Sequence, residues 1–598
     1  MVLEKDPLVF LQWLPQALLF FGIAALLLAA VALLVTFIVL AFRLGPLPAG
    51  DRLFKVVRAA ANDLWHTSPR RVLALAWLAM QEALRRRILV ALAVFFVILL
   101  FAGWFLDSTT NDPATLYLSF VLTASSYLSL LIALLLSVFS LPTDIKNRTI
   151  TTVVTKPVRH GEIVLGRILG FGAVGTLMLL AMGVVSYVFV NRGLNHTHEV
   201  DAASLTLVAE KTEKPIRTGR TKVTPKQHVH EVEVDAETGE GRTDFQNGHY
   251  HDVKVEKRGD KEVVALSAPR GMLVARVPIY GKLRYKDKKG QTVAKGISVG
   301  NEWGYRSFIE GNTLAAAIWT FDNITPERFP NGLPIEMTLR VFRTYKGDIE
   351  KGIGTSLVVK NPKSGRASAL HIFRAKDFKL DQYTVPVDLE DANGKPINLF
   401  KDLVVNGQLE IWIQCIEPAQ YLGVAKADLY LKARNANYTM NFVKGFAGIW
   451  LQMILVTAFG VMFSTFLSGP VALMATVSAL ILGFFTQMVY DLVYENVKGG
   501  GPVESLIRIV NQSNMTTEME EGLTRDVVKS VDAVLLKIME VFTRLVPDFG
   551  TFDNVSYLAH GYNIPGDQVL SQILSTAGYV LAMFVVGYFF LRGREVSK

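Results

Sequence analysis

Seven stretches of the chain are long, apolar and free of acidic or basic side chains: Ala17–Phe42, Ile88–Leu106, Thr115–Leu141, Ile168–Val190, Phe446–Phe466, Val471–Tyr490 and Ile573–Leu591. A helix needs about 20 mostly apolar residues to cross the hydrocarbon core of a bilayer. One such stretch could be a buried core helix, but seven of them predict a polytopic α-helical membrane protein. The first is longer than the apolar region of a signal peptide, and Glu4 and Asp6 precede it where basic residues are expected, so it reads as a retained helix.

The text between the fourth and fifth stretches has a different period. In 191–445, segments such as His230–Val234, His251–Val255 and Leu409–Ile413 alternate apolar with polar residues. That is the pattern of half-buried strands. Asn393-Gly394 and Asn406-Gly407 supply turns between them. This segment is long enough to fold by itself, and a β-sandwich, or two small ones, with little helix is expected. In 519–546, Val527, Val531, Leu535, Met539 and Phe542 recur at three- and four-residue steps, which predicts an amphipathic helix. It would lie on the membrane surface, cap the mouth of a pathway or pack on the β domain. Residues 70–87 are a shorter apolar run bounded by arginines. They suit an elbow helix in the membrane interface, leading into the second span. No tandem repeat is evident.

Charge sets the orientation. Segment 43–87 has nine bases against three acids, 142–167 five against two, and the tail after Leu591 three against one. These fall on one side if the seven spans alternate, and basic loops mark the cytoplasm. Loop 491–570, with twelve acids and six bases, falls on the other side. The N-terminus is then outside and the C-terminus inside the cytoplasmic (inner) membrane of a bacterium. The net charge of +9 is therefore a membrane signature, and no nucleic-acid partner is expected. The 598 residues are 51% hydrophobic and 19% charged, with a mean hydropathy of +0.31; a soluble protein is about a quarter charged. The single cysteine, Cys415, excludes an internal disulfide and a cysteine-based zinc or iron–sulfur site.

Enzyme signatures are missing. Nothing fits the phosphate-binding Gly-x-x-x-x-Gly-Lys-Ser/Thr loop. The nearest approach, Gly161 to Gly166, is followed by Arg167 and Ile168, without the required lysine and hydroxyl. There is no His-Glu-x-x-His and no Gly-x-Ser-x-Gly. The chain is not expected to be an enzyme or to hydrolyse ATP. Ion-driven carriers usually place ionisable groups inside the membrane, and none interrupts a span. Gln452 and Gln487, the main polar side chains of the fifth and sixth spans, are expected to bond between helices rather than line a path.

The basic segment 142–167 includes Asp144, Arg148, Thr149, Lys156, Pro157, Val158, Arg159, Ile163, Val164, Gly166 and Arg167. In that order it resembles the cytoplasmic loop of ABC-2-type permeases, the membrane subunits of one class of ABC transporter. Trp77–Glu82 with Arg85–Arg87, Ser464–Val471 and the final Arg592-Gly593-Arg594-Glu595 are similar as well. The resemblance covers nearly all of the membrane part. It implies a six-helix core from the second to the seventh span, with 1–42 an extra N-terminal helix. Residues 43–190 and 446–598 would be the two halves of that core, with 191–445 inserted as an extracytoplasmic β domain. The family's outer re-entrant hairpin would correspond to part of 491–570. It further implies a dimer with a second permease copy or paralogue, usually for export, driven by a separate cytoplasmic ATPase that holds the ATP. Asp144, Arg148, Thr149, Lys156, Pro157 and Arg159 would couple to it. The β domain, far larger than the family's usual loop, would allow an extracytoplasmic protein partner. The alternatives are an ATPase-driven mechanotransmission or assembly protein and a membrane-anchored metal chaperone.

Some permeases similar in the Lys-Pro-Val-x-Arg region are linked to multicopper enzyme maturation. That brings three His-x-His pairs into view: His196/His198, His228/His230 and His249/His251. Residues i and i+2 of a strand share a face, so each pair could offer two imidazoles to a copper or zinc ion. Glu199, Glu231 and Asp252 stand beside them. The plainer alternative is exposed polar positions on a sheet.

Overall fold

The computed structural model describes all residues except 1–8, 86–87, 107–109, 111, 148–157, 209–214, 224–227, 259–260, 300–304, 346–350, 378, 495–499, 515–521 and 594–598. The chain forms two compact units. One comprises Pro7–Leu273 with Tyr438–Lys598, and the other is essentially Val274–Asn437.

The first unit is mostly helical. Its opening helices are α1 (Phe10–Leu44), α2 (Pro46–Trp65), α3 (Pro69–Arg85), α4 (Ile88–Phe105), α5 (Pro113–Lys146) and α6 (His160–Leu194). After the β segments come α7 (Tyr438–Ser464), α8 (Gly469–Phe484), α9 (Thr486–Val493), α10 (Pro502–Val510), α11 (Leu523–Leu545), α12 (Val555–Ala559) and α13 (Gly566–Gly593). Among the described residues five helices, α1, α5, α6, α7 and α13, are long and apolar enough to cross a membrane. The number rises to seven if the bent pairs α3–α4 and α8–α9 each make one span. The protein is thus a membrane-spanning protein with a β-rich part. In α1 no residue is buried against the chain, as a lipid-facing helix requires. By contrast α5, α6 and α7 bury long faces in one core containing Leu118, Leu122, Phe171, Met182, Phe446 and Ile449.

One apolar run differs from its sequence expectation, and the 70–87 helix gains a packing partner. The apolar run 471–490 is not one straight helix: α8 and α9 meet at a 55° bend. The segment from Pro547 to Phe549 crowds Gly483, where a side chain would collide with the Phe549 ring. The 70–87 helix packs on the chain through one face. Val72, Ala76, Ala79 and Ala83 of α3 are buried, and they seat the helix on Gly166 and Gly170 of α6. A Cβ at Gly166 would lie 2.6 Å from the Cβ of Leu75, and one at Gly170 2.5 Å from the Ala76 carbonyl oxygen. Small residues four apart let two membrane helices approach this closely. The opposite face of α3, with Leu73 and Trp77, is exposed.

Helix α11 forms where the amphipathic pattern placed it, but its buried positions include Val528, Asp532, Glu540 and Thr543, while Val527, Val531, Val534, Ile538 and Val541 are exposed. Asp532 accepts hydrogen bonds from the Val503 and Glu504 amides at the start of α10, at 2.7 and 2.9 Å. Gln452 of α7 donates to the Phe549 carbonyl at 3.2 Å, whereas Gln487 bonds Asp491 within α9.

This unit also holds an antiparallel six-stranded meander in sequence order: β1 (Thr206–Val208), β2 (Ile216–Arg220), β3 (Glu231–Asp235), β4 (Glu240–Thr243), β5 (Asp252–Arg258) and β6 (Lys261–Leu266). Val232, Val234 and Val253 form its small core, with Val200, Leu205, Val255, Val264 and Leu266 packed on it.

The second unit is a β-sandwich. One sheet runs His371–Ala375, Ile353–Lys360, Leu409–Cys415, Ala316–Phe321, Lys282–Lys286, Thr292–Val293. Another runs Leu380–Val385, Leu333–Thr338, Leu429–Asn435, Arg276–Tyr280. Their inner faces share one core, with Trp319, Ile335, Leu357, Ile411, Ile413 and Leu431 almost fully buried. The buried Glu336 carboxylate is neutralised by Arg276 at 3.2 Å and Lys432 at 3.0 Å, and the Tyr430 hydroxyl donates to it at 2.5 Å. The 191–445 excursion therefore divides: its first strands fold with the helices, and 274–437 has a core of its own.

Candidate metal centre and coupling segment

The meander explains how three distant His-x-His pairs meet. In an up-and-down sheet, odd-numbered strands all start at the same end. His196 and His198 lie on the approach to β1, His228 and His230 immediately precede β3, and His249 and His251 immediately precede β5. Each pair opens the same short text: His196-Thr-His-Glu-Val200, His228-Val-His-Glu-Val232 and His249-Tyr-His-Asp-Val253. Along an extended segment both histidines and the valine share a face. The valine enters the small core, and the two imidazoles stand beyond it at the sheet's end.

This is a repeat that the sequence reading missed. Two of its copies also follow Gly-Arg-Thr, at 219–221 and 241–243. The buried Thr221 and Thr243 hydroxyls accept from the backbone amides of His230 and His251, each at 2.9 Å. The Thr221 and Thr243 amides donate to the carbonyls of the same histidines, again at 2.9 Å. These threonines fix where the histidine backbone leaves the sheet. A search for His-x-His-acid-Val would have found the repeat.

The pairs do not form three separate sites, as the sequence suggested. All six rings converge. Each imidazole has four neighbouring imidazoles with centroids 4.7–5.3 Å away and planes at 75–88°. The sixth ring lies across from it: His196 faces His230, His198 faces His249, and His228 faces His251. His230, His249 and His251 are fully buried, His198 and His228 nearly so, and His196 is half-buried. The exposed-sheet alternative therefore does not hold.

Four of the six outer ring nitrogens are tied to oxygen, while the buried His198 Nδ1 has no hydrogen-bond partner among the described residues. His196 Nδ1 bonds the Leu194 carbonyl at 2.9 Å, His249 Nδ1 the Asn247 carbonyl at 3.2 Å, and His251 Nδ1 the Ser267 carbonyl at 2.8 Å. His230 Nδ1 meets Asp244 Oδ1 at 3.1 Å and the Asp244 carbonyl at 3.2 Å. A carbonyl only accepts, so these Nδ1 atoms carry the proton and the Nε2 lone pairs point inward. Neighbouring Nε2 atoms are 3.0 Å apart for His196/His249, 3.1 Å for His230/His249, 3.2 Å for His198/His228 and 3.3 Å for His228/His249. Burial, reinforced by neighbouring imidazoles, lowers the His198 pKa to about 3. Burial takes His249 to about 2, against the Asn247 carbonyl, and lowers His251 against the Ser267 carbonyl. Neutral imidazoles with a free Nε2 are ligands for transition metals. Two overlapping quartets, His196/His198/His228/His249 and His198/His230/His249/His251, each keep their ligand atoms within 4.8 Å of one another.

At the far end of α6, Arg148, Thr149, Lys156 and Pro157 lie outside the described residues. Asp144 and Arg159, which flank that segment, are both paired within the chain. Asp144, in the last turn of α5, pairs with Arg167 of α6, which also reaches Glu82 of α3 at 3.1 Å. Arg159 donates to the Asp63 carbonyl at 3.2 Å and stands 3.7 Å from its carboxylate. Asp63 is in turn 3.6 Å from Arg592 and accepts from the Tyr588 hydroxyl at 2.8 Å. The carboxylate of Glu162 is fully buried. It accepts from the Ser68 amide and Arg71 Nε at 2.9 Å and from the Arg159 amide at 3.0 Å. Sequence reasoning picked out neither Glu82 as Arg167's partner nor Asp63 and Glu162, since only the fold brings α2, α3 and α13 to this loop. In sequence the chain matches no known protein family and no characterised protein.

Proposed function

We propose that the chain is the membrane-spanning permease subunit of an ATP-driven ABC-2-type transporter. It works as an exporter, paired with a second copy or paralogue and with a separate cytoplasmic ATPase. The observation that carries this reading is the set of ion pairs around 142–167. Asp144–Arg167–Glu82, Arg71–Glu162 and Arg159–Asp63–Arg592 join both ends of the segment to α2, α3 and α13. A displacement of the segment by a cytoplasmic ATPase would be passed to all these helices together, tilting one half of the membrane part against the other. Lys156, Pro157 and Arg159 would form the contact.

The test is the double variant Asp144→Asn with Arg159→Ala in the assembled complex. ATP hydrolysis should continue while transport is lost. Normal transport would overturn the proposal. A second reading, in which the ATPase works an outer partner rather than a substrate path, draws on the separately folded sandwich 274–437. Substrate flux into sealed vesicles separates the two.

A further inference from the structure

We infer that the six histidines hold a single six-coordinate divalent transition-metal ion, of the class Fe(II), Co(II) or Ni(II), which fastens the end of α6 to the β1–β6 sheet. The inference is independent of the transporter reading.

The geometry decides the coordination number. Four neighbours around each ring and one ring across from it is the connectivity of an octahedron. The three His-x-His pairs are three of its edges, with centroid distances of 5.1 Å each. The two quartets are not two sites. Both contain His198 and His249, which lie across from each other, and one Nε2 has one lone pair to give. The quartets are two halves of one octahedron about a shared axis. Neighbouring Nε2 atoms 3.0–3.3 Å apart place a central ion about 2.2 Å from each nitrogen, close to the ~2.0–2.1 Å of zinc–imidazole bonds.

The hydrogen bonds show why a cation belongs there. With Nδ1 of His196, His230 and His249 donating outward, the contacts His196 Nε2–His249 Nε2 and His230 Nε2–His249 Nε2 are lone pair against lone pair. The buried His251 Nε2 has no hydrogen-bond partner among the described residues. Converging lone pairs in a buried site are costly unless they share a cation. The outward carbonyls orient the rings as ligating histidines usually are.

The donor set narrows the ion. Six neutral nitrogens with no carboxylate do not suit Mg(II) or Ca(II), which take oxygen. Zinc sites are almost always four-coordinate, and Cu(II) favours tetragonal geometry. Imidazole suits iron and nickel, and affinity for an N-donor site rises from Fe(II) through Co(II) to Ni(II). Six equivalent nitrogens thus favour one of these ions over the copper or zinc considered from the sequence. The consequence is mechanical. His196 and His198 follow the last turn of α6 at Leu194, and the other four open β3 and β5, so one ion ties three segments together.

The experiment uses the full chain in detergent, stripped with a chelator and titrated with Co(II), Ni(II) or Zn(II). One Co(II) per chain is expected, with the weak d–d absorption of a six-coordinate ion, a first shell of nitrogen by X-ray absorption and a rise in melting temperature. Two ions per chain, the intense absorption of four-coordinate Co(II), preference for Zn(II) over Ni(II), or no uptake would overturn the inference. Asp244→Ala, which removes a carboxylate contact to His230 but no ligand, should weaken binding by roughly tenfold or more. His371→Ala, outside the cluster, should bind as the parent does. A folded His230→Ala/His249→Ala variant that kept full uptake would also refute it. If that variant does not fold, the stoichiometry and spectrum of the parent still decide.

Discussion

Replacing Gly170 by alanine tests the α3–α6 contact. The new Cβ would sit 2.5 Å from the Ala76 carbonyl oxygen and 2.7 Å from the Ala79 Cβ. Neither atom belongs to a flexible side-chain end, so α3 must retreat as a body by close to an ångström. Overpacking of this kind costs typically 1–3 kcal/mol, while alanine regains about 1 kcal/mol of helix propensity over glycine. The net loss is about 0–2 kcal/mol, and Gly170→Leu should exceed it. Gly166 lies against Leu75 of the same helix, so once α3 has moved, Gly166→Ala should add less than its own cost. The controls are Gly22→Ala and Gly103→Ala, where nothing stands within 4 Å of the added carbon. Thermal unfolding in detergent should show Gly170→Ala melting at or below the parent and below both controls, which should melt at or above the parent. A Gly170→Ala protein as stable as Gly103→Ala would refute the packing of α3 on α6.

Two further outcomes follow from buried carboxyl groups. Glu162→Gln strips the charge that Arg71 and two backbone amides face, and should cost about 2–3 kcal/mol, below a fully buried pair because Arg71 is 36% exposed. Adding Arg71→Met should recover part of the loss in the same melting assay, and a neutral single variant would contradict the buried pair. In the sandwich, burial raises the Asp381 pKa, opposed by Lys379 and Lys376, and its Oδ2 has no hydrogen-bond partner among the described residues. A raised folded pKa means that the protonated acid is favoured. Its contribution is full below the unfolded value and lost as pH rises through the folded one. Asp381→Asn should thus melt like the parent in acid and progressively above it towards neutral pH; a constant difference would count against this.

What the sequence revealed depended on range. The membrane helices were readable because length and hydropathy are properties of one segment. The bend between α8 and α9 was not, since hydropathy carries no direction and the segment packed over Gly483, Pro547 to Phe549, lies more than sixty residues away. Alternation marked His230–Val234 and His251–Val255 as strands and noted the pairs. Their convergence needed the order β1 to β6, which puts the starts of β1, β3 and β5 at one end. The pattern His-x-His-acid-Val before every second strand held that information, but the residues were read as pairs. The burial of Asp532 in α11 was invisible in the periodicity, because its partners are the amides that open α10. Around segment 142–167, Asp144 and Arg159 stood out by resemblance, whereas Asp63, Glu82 and Glu162 became visible only when α2 and α3 were placed.

The most direct test of the transporter reading is a pull-down of the tagged full chain from gently solubilised native membranes, with mild crosslinking and mass spectrometry of the co-purifying proteins. The account predicts a soluble ATPase with a phosphate-binding Gly-x-x-x-x-Gly-Lys-Ser/Thr loop, recovered in proportion to the chain and crosslinked to segment 142–167. Recovery of the intact chain without any such ATPase, before and after crosslinking, would contradict it.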